Sequence, residues 1–397
     1  MEVGDALVSR GATRVRSGVG SYIGAGVHVA IGRKSAVLSS PDRLYLDHAA
    51  TTPILPEARA AVAAAMEGWA NPSSPHADGR RARAGFEEAR RKIADILEWR
   101  HGVILTSGAS EAVQIVAARA KAEGRIVNPT EHDVVIAAMG EHARILPVSD
   151  DGVVDLGALE RELAAGPALV AVQLVNNETG VIQPIERIQE MVRAAGSLLL
   201  ADCAQAAGKM PLPEADFIAV SAHKFGGPPG VGALLVRDLA ALQTSGGQER
   251  GYRRGTENWP AVAGMAAALE TRRFAEALPR LASLRAELEQ EVAASDGIAI
   301  AESAPRIATI GAYAMPGTAS ASQLVQLDLA GISVSAGSAC SSGSMKSSRV
   351  LGAMGIPDET ATRVIRVSFG PTTSAADVER FLVEWRRIRN RAKMAAA

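Results

Sequence analysis

From Leu44 onward, short unbroken apolar runs alternate with stretches in which apolar residues recur every three or four positions. The first pattern marks buried strands and the second amphipathic helices. Tyr45-Leu46-Asp47 reads as a short strand, residues 56–68 and 79–98 as helices, and residues 103–106 as a strand. Ser107-Gly108-Ala109-Ser110-Glu111 then opens a helix that runs through Ala120. Further strands are predicted over 125–128, 134–138, 144–148, 168–174, 197–201, 216–221 and 231–236, with helices over 156–164 and 185–195. Residues 260–293 read as one long amphipathic helix, and a last helix covers 375–392. Continuously apolar strands alternating with helices make an α/β fold whose parallel or mixed sheet is covered on both faces. The domain boundary is expected inside the long helical stretch. Residues 1–42 have no sustained period, are rich in glycine, serine, valine and alanine, and carry Arg10, Arg14, Arg16, Arg33 and Lys34. They read as a disordered extension or as sequence upstream of the true start. Glu2 and Asp5 argue against a transit peptide, which is poor in acids.

Composition narrows the classes. A chain of 397 residues, 47% hydrophobic, is long enough for a large core and two domains. A net charge of −1 gives no electrostatic case for nucleic acid, and no apolar run reaches membrane-span length. Two cysteines, Cys203 and Cys340, make no disulfide framework, which points to a reducing compartment, the cytoplasm.

Candidate chemistry gathers where strands end, the place at which open α/β sheets bind ligands. Lys224 follows the run Asp216–Ser221 and precedes Phe225-Gly226-Gly227-Pro228-Pro229-Gly230, a cluster that forces a turn. An amine displayed there can condense with a carbonyl cofactor, or be an ordinary exposed lysine. Asp202 ends the apolar run 197–201. A carboxylate at a buried strand end needs a cationic partner, a protonated pyridine nitrogen being one; its other reading is a helix N-cap. If the two strands lie side by side, Asp202 and Lys224 have the placement that pyridoxal phosphate requires. The glycine turn at 107–111 suits a phosphate at a helix N-terminus, or is a serine-capped helix start. Thr130-Glu131-His132 follows another strand, and its imidazole suits a ring-stacking or proton-shuttling role, or is an ordinary surface histidine. His142 lies close in sequence, and spacing does not choose between the two histidines. Cys340 sits in Ser335–Ser344, where nearly every residue is small. Such a stretch packs no core and is expected to be a mobile loop carrying an accessible thiol. Cys203 reads instead as a small packing residue beside Asp202.

Together these segments resemble the cysteine desulfurases, in the class V aminotransferase group of fold-type I pyridoxal phosphate enzymes. The likeness runs from about Tyr45 to Phe381. It is carried by Leu46-Asp47-His48-Ala49-Ala50-Thr51-Thr52-Pro53, Thr106-Ser107-Gly108-Ala109-Ser110-Glu111, Thr130-Glu131-His132 and Asn176-Asn177-Glu178-Thr179-Gly180. Asp202-Cys203-Ala204-Gln205, Ser221-Ala222-His223-Lys224, Arg254-Gly255-Thr256-Glu257-Asn258 and Ile365-Arg366-Val367-Ser368 complete it. The serine-glycine form of the cysteine loop resembles the NifS and IscS proteins.

The resemblance implies a fold-type I transferase: a large domain with a mixed, mostly parallel sheet and a smaller α/β C-terminal domain. Residues 56–270 would be the large, cofactor-binding domain. Residues 43–55 with 271–397 would be the small domain carrying the Cys340 loop and Arg366. It implies that Lys224 holds pyridoxal 5'-phosphate covalently, Asp202 pairs with its ring nitrogen, Gln205 contacts its ring hydroxyl and His132 stacks on the ring. Ala109, Ser110, Ser221 and His223 would hold the phosphate, and Thr256 would reach the phosphate of a neighbouring subunit, implying a homodimer. Asn177 and Arg366 would receive the substrate carboxylate. The implied reaction converts L-cysteine to L-alanine and leaves its sulfur on Cys340 as a persulfide. An iron–sulfur scaffold or another carrier protein would accept that sulfur; no metal, nucleic acid or membrane is implied. Cys203 stands where relatives often carry alanine, and Pro371 replaces the arginine of some relatives. Other readings are a class V aminotransferase, a selenocysteine lyase, or a non-catalytic protein retaining the fold. The last predicts loss among Lys224, Asp202, His132 and Cys340, and all four are present.

Overall fold

A computed structural model describes residues 43–337 and 348–396; the expected extension 1–42 and Cys340 lie outside the described residues. The chain begins with β1 (Leu44–Tyr45), α1 (Pro56–Glu67), α2 (Ala77–Ile96), β2 (Gly102–Thr106) and α3 (Ala109–Arg119). Next come β3 (Gly124–Val127), α4 (Asp133–Met139), β4 (Arg144–Ile145), α5 (Leu156–Leu163), β5 (Ala168–Gln173) and α6 (Ile185–Ala194). β6 (Leu198–Asp202), β7 (Phe217–Ser221) and β8 (Gly232–Val236) precede α7 (Trp259–Glu270) and α8 (Arg273–Ala294). The remainder is β9 (Ile298–Ala299), β10 (Ile310–Ala314), α9 (Ser320–Leu329), β11 (Ile332–Ser333), α10 (Arg349–Ala353), α11 (Asp358–Ala361), β12 (Val364–Ser368) and α12 (Ala375–Ala396).

The main sheet has strand order β2-β8-β7-β6-β5-β3-β4, and β8 alone runs against the other six. Alternation along each strand separates two cores, because successive side chains point to opposite faces. On β5, Val170 and Val172 pack with Phe86, Ile93, Ile188 and Met265 of α2, α6 and α7. Leu169 and Ala171 pack with Val113 and Val116 of α3 and Val135 and Met139 of α4. Each such fully buried aliphatic side chain contributes roughly 1.5–3 kcal/mol. This is the fold-type I arrangement. A separate antiparallel sheet, β12-β10-β9, and the pair β1-β11 accompany α8, α9 and α12 around Leu281, Leu288, Tyr313, Phe381 and Trp385.

Two expectations need correction. Residues 134–138 are helix, not strand: they lie in α4. Their β-branched run reads as strand locally, but β3 and β4 are parallel neighbours, and a parallel pair needs a crossover. His132 caps the crossover helix, its Nδ1 accepting from Val134 N at 3.2 Å. The single helix over 260–293 is two, separated at Arg272, whose φ of 51° is left-handed. The break lets α7 pack on the main sheet, while α8 from Ala277 onward enters the second core.

Candidate active site

The carboxyl ends of β2, β3, β5, β6 and β7 carry, in turn, Gly108-Ala109-Ser110, Glu131-His132, Asn176-Asn177, Asp202 and Ser221–Lys224. β6 and β7 are hydrogen-bonded neighbours, Asp202 lying opposite Ala219. The two strand ends are therefore side by side, as the residue pattern anticipated.

Lys224 lies in a single 3-10 turn after β7. Its Nζ donates to the carbonyls of Ala49 at 2.8 Å and Ala50 at 2.9 Å. Those carbonyls belong to the segment after β1, which several bonds lash to the site. Thr52 N donates to His223 O at 2.8 Å, and Thr52 Oγ1 donates to Lys224 O at 3.2 Å. His223 Nδ1 meets Thr51 Oγ1 at 3.1 Å. Burial first, then the charges of Lys224 and Lys209, push the His223 imidazole down to about 4, so it is neutral near pH 7.

Burial raises the Asp202 carboxyl, while its bond from Ala204 N and the charge of Lys224 oppose that rise. Gln205, buried, donates from Nε2 to Ala49 O at 2.8 Å. His132 is held by its capping bond, and the acceptance at Nδ1 leaves the ring proton on Nε2. His142 is exposed in the turn beyond α4, so position separates the two histidines. Cys203 is buried, and burial with the charges of Asp202 and Glu131 raises its thiol far above the ordinary range. It is a packing residue, not a nucleophile.

The N-terminus of α3 has no side-chain cap, which leaves its first amides without partners. Gly108 lies beside Ser221: a Cβ built on Gly108 would stand 3.6 Å from Ser221 Oγ. Gly232 pairs with both Thr106 and Ser221. A Cβ on Gly232 would come 2.3 Å from Val220 O and 2.7 Å from Gly108 Cα. Only glycine lets the two strand ends close this far, and the result is an anion cradle of backbone amides and a hydroxyl.

Arg366 rises from β12 and is buried. Its Nη1 donates to the Asn177 carbonyl and its Nη2 to Asp47 Oδ1, each at 2.9 Å. Its Nε is buried with no partner, so the guanidinium retains an unused donor. Asn177 meets Arg366 through its backbone. A cleft beside them is lined by His132, Asn177, Glu178, Gly337 and Arg349. Thr256 is exposed and joins none of these contacts.

Other site residues escaped the sequence reading. Glu131 is buried; its Oε1 accepts from Gln173 N at 2.5 Å and Asn128 Nδ2 at 3.2 Å, and Oε2 has no partner. Burial and then the Asp202 charge push its carboxyl up to about 8. Glu178, also buried, accepts from Ser348 Oγ at 2.6 Å. Lys209 donates to Gln205 Oε1 at 3.3 Å. The spacing of four between Gln205 and Lys209 was the available signal, since one turn brings such residues together. Nothing in the residue pattern marked the Ala49 and Ala50 carbonyls.

Comparison with known proteins places this architecture. The chain matches the class-V aminotransferase family over residues 44–381. It is 35% identical to a cysteine desulfurase of Cereibacter sphaeroides, covering 86% of this chain and 94% of that protein. It is 38% identical to an IscS-like cysteine desulfurase of Mycobacterium tuberculosis, covering 84% and 93%. Among solved structures, a NifS-like protein from Rickettsia africae superposes with a TM-score of 0.79 at 28% identity, covering 88% of this chain and 99% of that one.

Proposed function

The chain belongs to the class-V aminotransferase family as one of its pyridoxal phosphate-dependent cysteine desulfurases, and we propose that it converts L-cysteine to L-alanine by passing sulfur to Cys340. One observation carries the assignment of roles: Asp202 and Lys224 stand at the ends of paired strands β6 and β7.

The residues fit the cofactor. Pyridoxal phosphate needs an anion cradle, an acid for its ring nitrogen, a donor for its ring oxygen and an amine for its aldehyde. The uncapped start of α3 at Ala109 and Ser110, with Ser221 across from Gly108, suits the phosphate. Neutral His223 braces Thr51 and has its other nitrogen left for that group. Asp202 lies where burial disfavours a lone carboxylate, so a protonated ring nitrogen is a favourable partner. Gln205 has one amide hydrogen engaged by Ala49 O and a second for the ring oxygen. His132, held in place by its bond from Val134 N, would lie against the ring. The bound cofactor supplies an electron sink that acidifies the substrate Cα proton.

Lys224 Nζ, released from the Ala49 and Ala50 carbonyls, takes that proton and returns one. Arg366, which bridges Asp47 and the Asn177 carbonyl, and Asn177 bind the substrate carboxylate. The Cys340 thiolate attacks the cysteine sulfur. A sulfur–sulfur bond forms, the carbon–sulfur electrons stay with carbon, and protonation yields alanine.

Residues 56–270 are read as the large domain, and 43–55 with 271–397 as the small one; the separate core around α8 and α12 supports this. A homodimer in which Thr256, an exposed residue, reaches the neighbouring phosphate is proposed from the family resemblance. An iron–sulfur scaffold or another carrier is the proposed acceptor, and the cytoplasm the proposed compartment. Among the described residues no helix is long and apolar enough to cross a membrane.

The test measures alanine and sulfide formed from L-cysteine with a reductant, in wild type and Cys340→Ala. Turnover is expected to collapse in the variant while its yellow cofactor band persists. Undiminished alanine release would sink the persulfide route.

A further inference from the structure

A second amine lies buried beside Lys224. Lys209 is only 3% exposed, which is rare for a lysine without an acidic partner. Its Nζ donates to Gln205 Oε1 at 3.3 Å and stands 5.0 Å from the centroid of the Phe274 ring at the start of α8. Gln205 Nε2 donates to Ala49 O at 2.8 Å, and the same carbonyl takes Lys224 Nζ at 2.8 Å. One amide and one carbonyl therefore join the two lysines.

We propose that Lys209 is a positioning residue of the cofactor site, acting on Gln205 by hydrogen bonding and on Lys224 by its charge. The proposal rests on the reading of Lys224 as the lysine that holds pyridoxal phosphate.

The hydrogen-bond half follows from donor chemistry. An ammonium group only donates, so Gln205 must turn its oxygen to Lys209. Its NH2 is then left for Ala49 O, with one hydrogen free for a ring oxygen. The reversed amide would set donor against donor at Lys209 and oxygen against oxygen at Ala49. The charge half follows from the surroundings. Lys224 and His223 face Lys209 from the turn after β7, His48 from the segment after β1, and apolar Phe274 from α8. Burial pushes His48 to about 3 and His223 to about 4, with lysine charge adding to both. Both imidazoles are thus neutral, which leaves the Lys209 amine and the Asp202 carboxyl as the titrating neighbours of Lys224. Burial first, then the Lys224 charge, bring Lys209 down to about 7. Like charges disfavour each other reciprocally, so protonated Lys209 keeps Lys224 closer to the free base it needs.

The test uses the full chain, both loaded and stripped of cofactor, in wild type, Lys209→Met and Lys209→Gln. In the stripped protein, acetylation of Lys224 near neutral pH, followed by mass spectrometry, is expected to slow about three- to tenfold in both variants, because a nearby positive charge is lost. In the loaded protein, the pH midpoint of the visible band should move upward in both. Unchanged Lys224 labelling and an unchanged midpoint, with only thermal stability altered, would overturn the proposal and leave Lys209 as packing. A wild type that binds no pyridoxal phosphate, yet keeps the labelling response, would defeat the cofactor reading while the coupling of the amines stood.

Discussion

At the residue scale, the site depends on buried groups whose charge the fold controls. Glu131 is the clearest case outside the lysine pair. Its carboxyl is raised from 4.5 to about 8 by burial first and by Asp202 next. The folded state therefore holds a proton that the unfolded chain releases between those values. Stability from this group is full below about 4.5 and is lost as pH rises through 8. Glu131→Gln keeps an oxygen for Gln173 N and Asn128 Nδ2 and removes the ionisation. Its melting temperature relative to wild type should rise from acid to alkaline pH, gaining at least about 2 °C near the alkaline end. Melts from pH 4.5 to 9 check this, and a flat difference would show that Glu131 is not the proton carrier. Lys224 and Asp202 were legible as letters because each stands where an apolar run stops, whereas the roles of Gln205 and His132 came from the family resemblance, spacing having left His132 and His142 open. Glu131 was not legible, because a charged letter in a polar loop looks like a solvated one until the fold buries it, and Lys209 offered only its spacing of four from Gln205.

At the scale of elements, strand ends and turns create the cradle. Gly232 sits between the ends of β2 and β7, where an added Cβ would strike Val220 O and Gly108 Cα, both backbone atoms. Gly232→Ala must therefore push two strands apart. A stability loss of about 1–3 kcal/mol is expected from overpacking, with weaker retention of pyridoxal phosphate. Denaturant unfolding and cofactor release during dialysis would show both; a variant with wild-type retention would mean the cradle tolerates spreading. The six strands that the residue pattern located in the main sheet between 103 and 236, apart from the short β4, each carry a short apolar run bounded by polar or turn residues. The segment 134–138 misled because valine and isoleucine favour strands locally. The crossover between β3 and β4 overrode that preference. The break at Arg272 was hidden for a related reason: apolar spacing carries on through Thr271-Arg272, and only packing on two different cores demands the turn.

At the scale of the molecule, the second sheet reaches into the site through the segment after β1. Ser368 at the end of β12 is fully buried; its Oγ accepts from Ala49 N at 2.9 Å and donates to Leu46 O at 3.3 Å. Arg366 on the same strand bonds Asp47. Ala49, so held, offers the carbonyl shared by Lys224 and Gln205. Ser368→Ala leaves a buried amide without its partner, at a cost of about 1–3 kcal/mol, and frees that carbonyl to move. Lower thermal stability together with faster cofactor release is the expected result. Lost stability with unchanged release would separate the β12 contact from the site. The sequence by itself determined the α/β class, most elements and the residues at strand ends. Those are local properties, set by apolar period and by the residues that stop a strand. Tertiary structure alone decided that α4 is a helix and that Arg366 meets Asp47. It alone placed Lys209 beside Lys224 and made the Ala49 carbonyl the junction between them. These depend on which distant segments the folded chain brings together, and a backbone carbonyl has no letter of its own to be read.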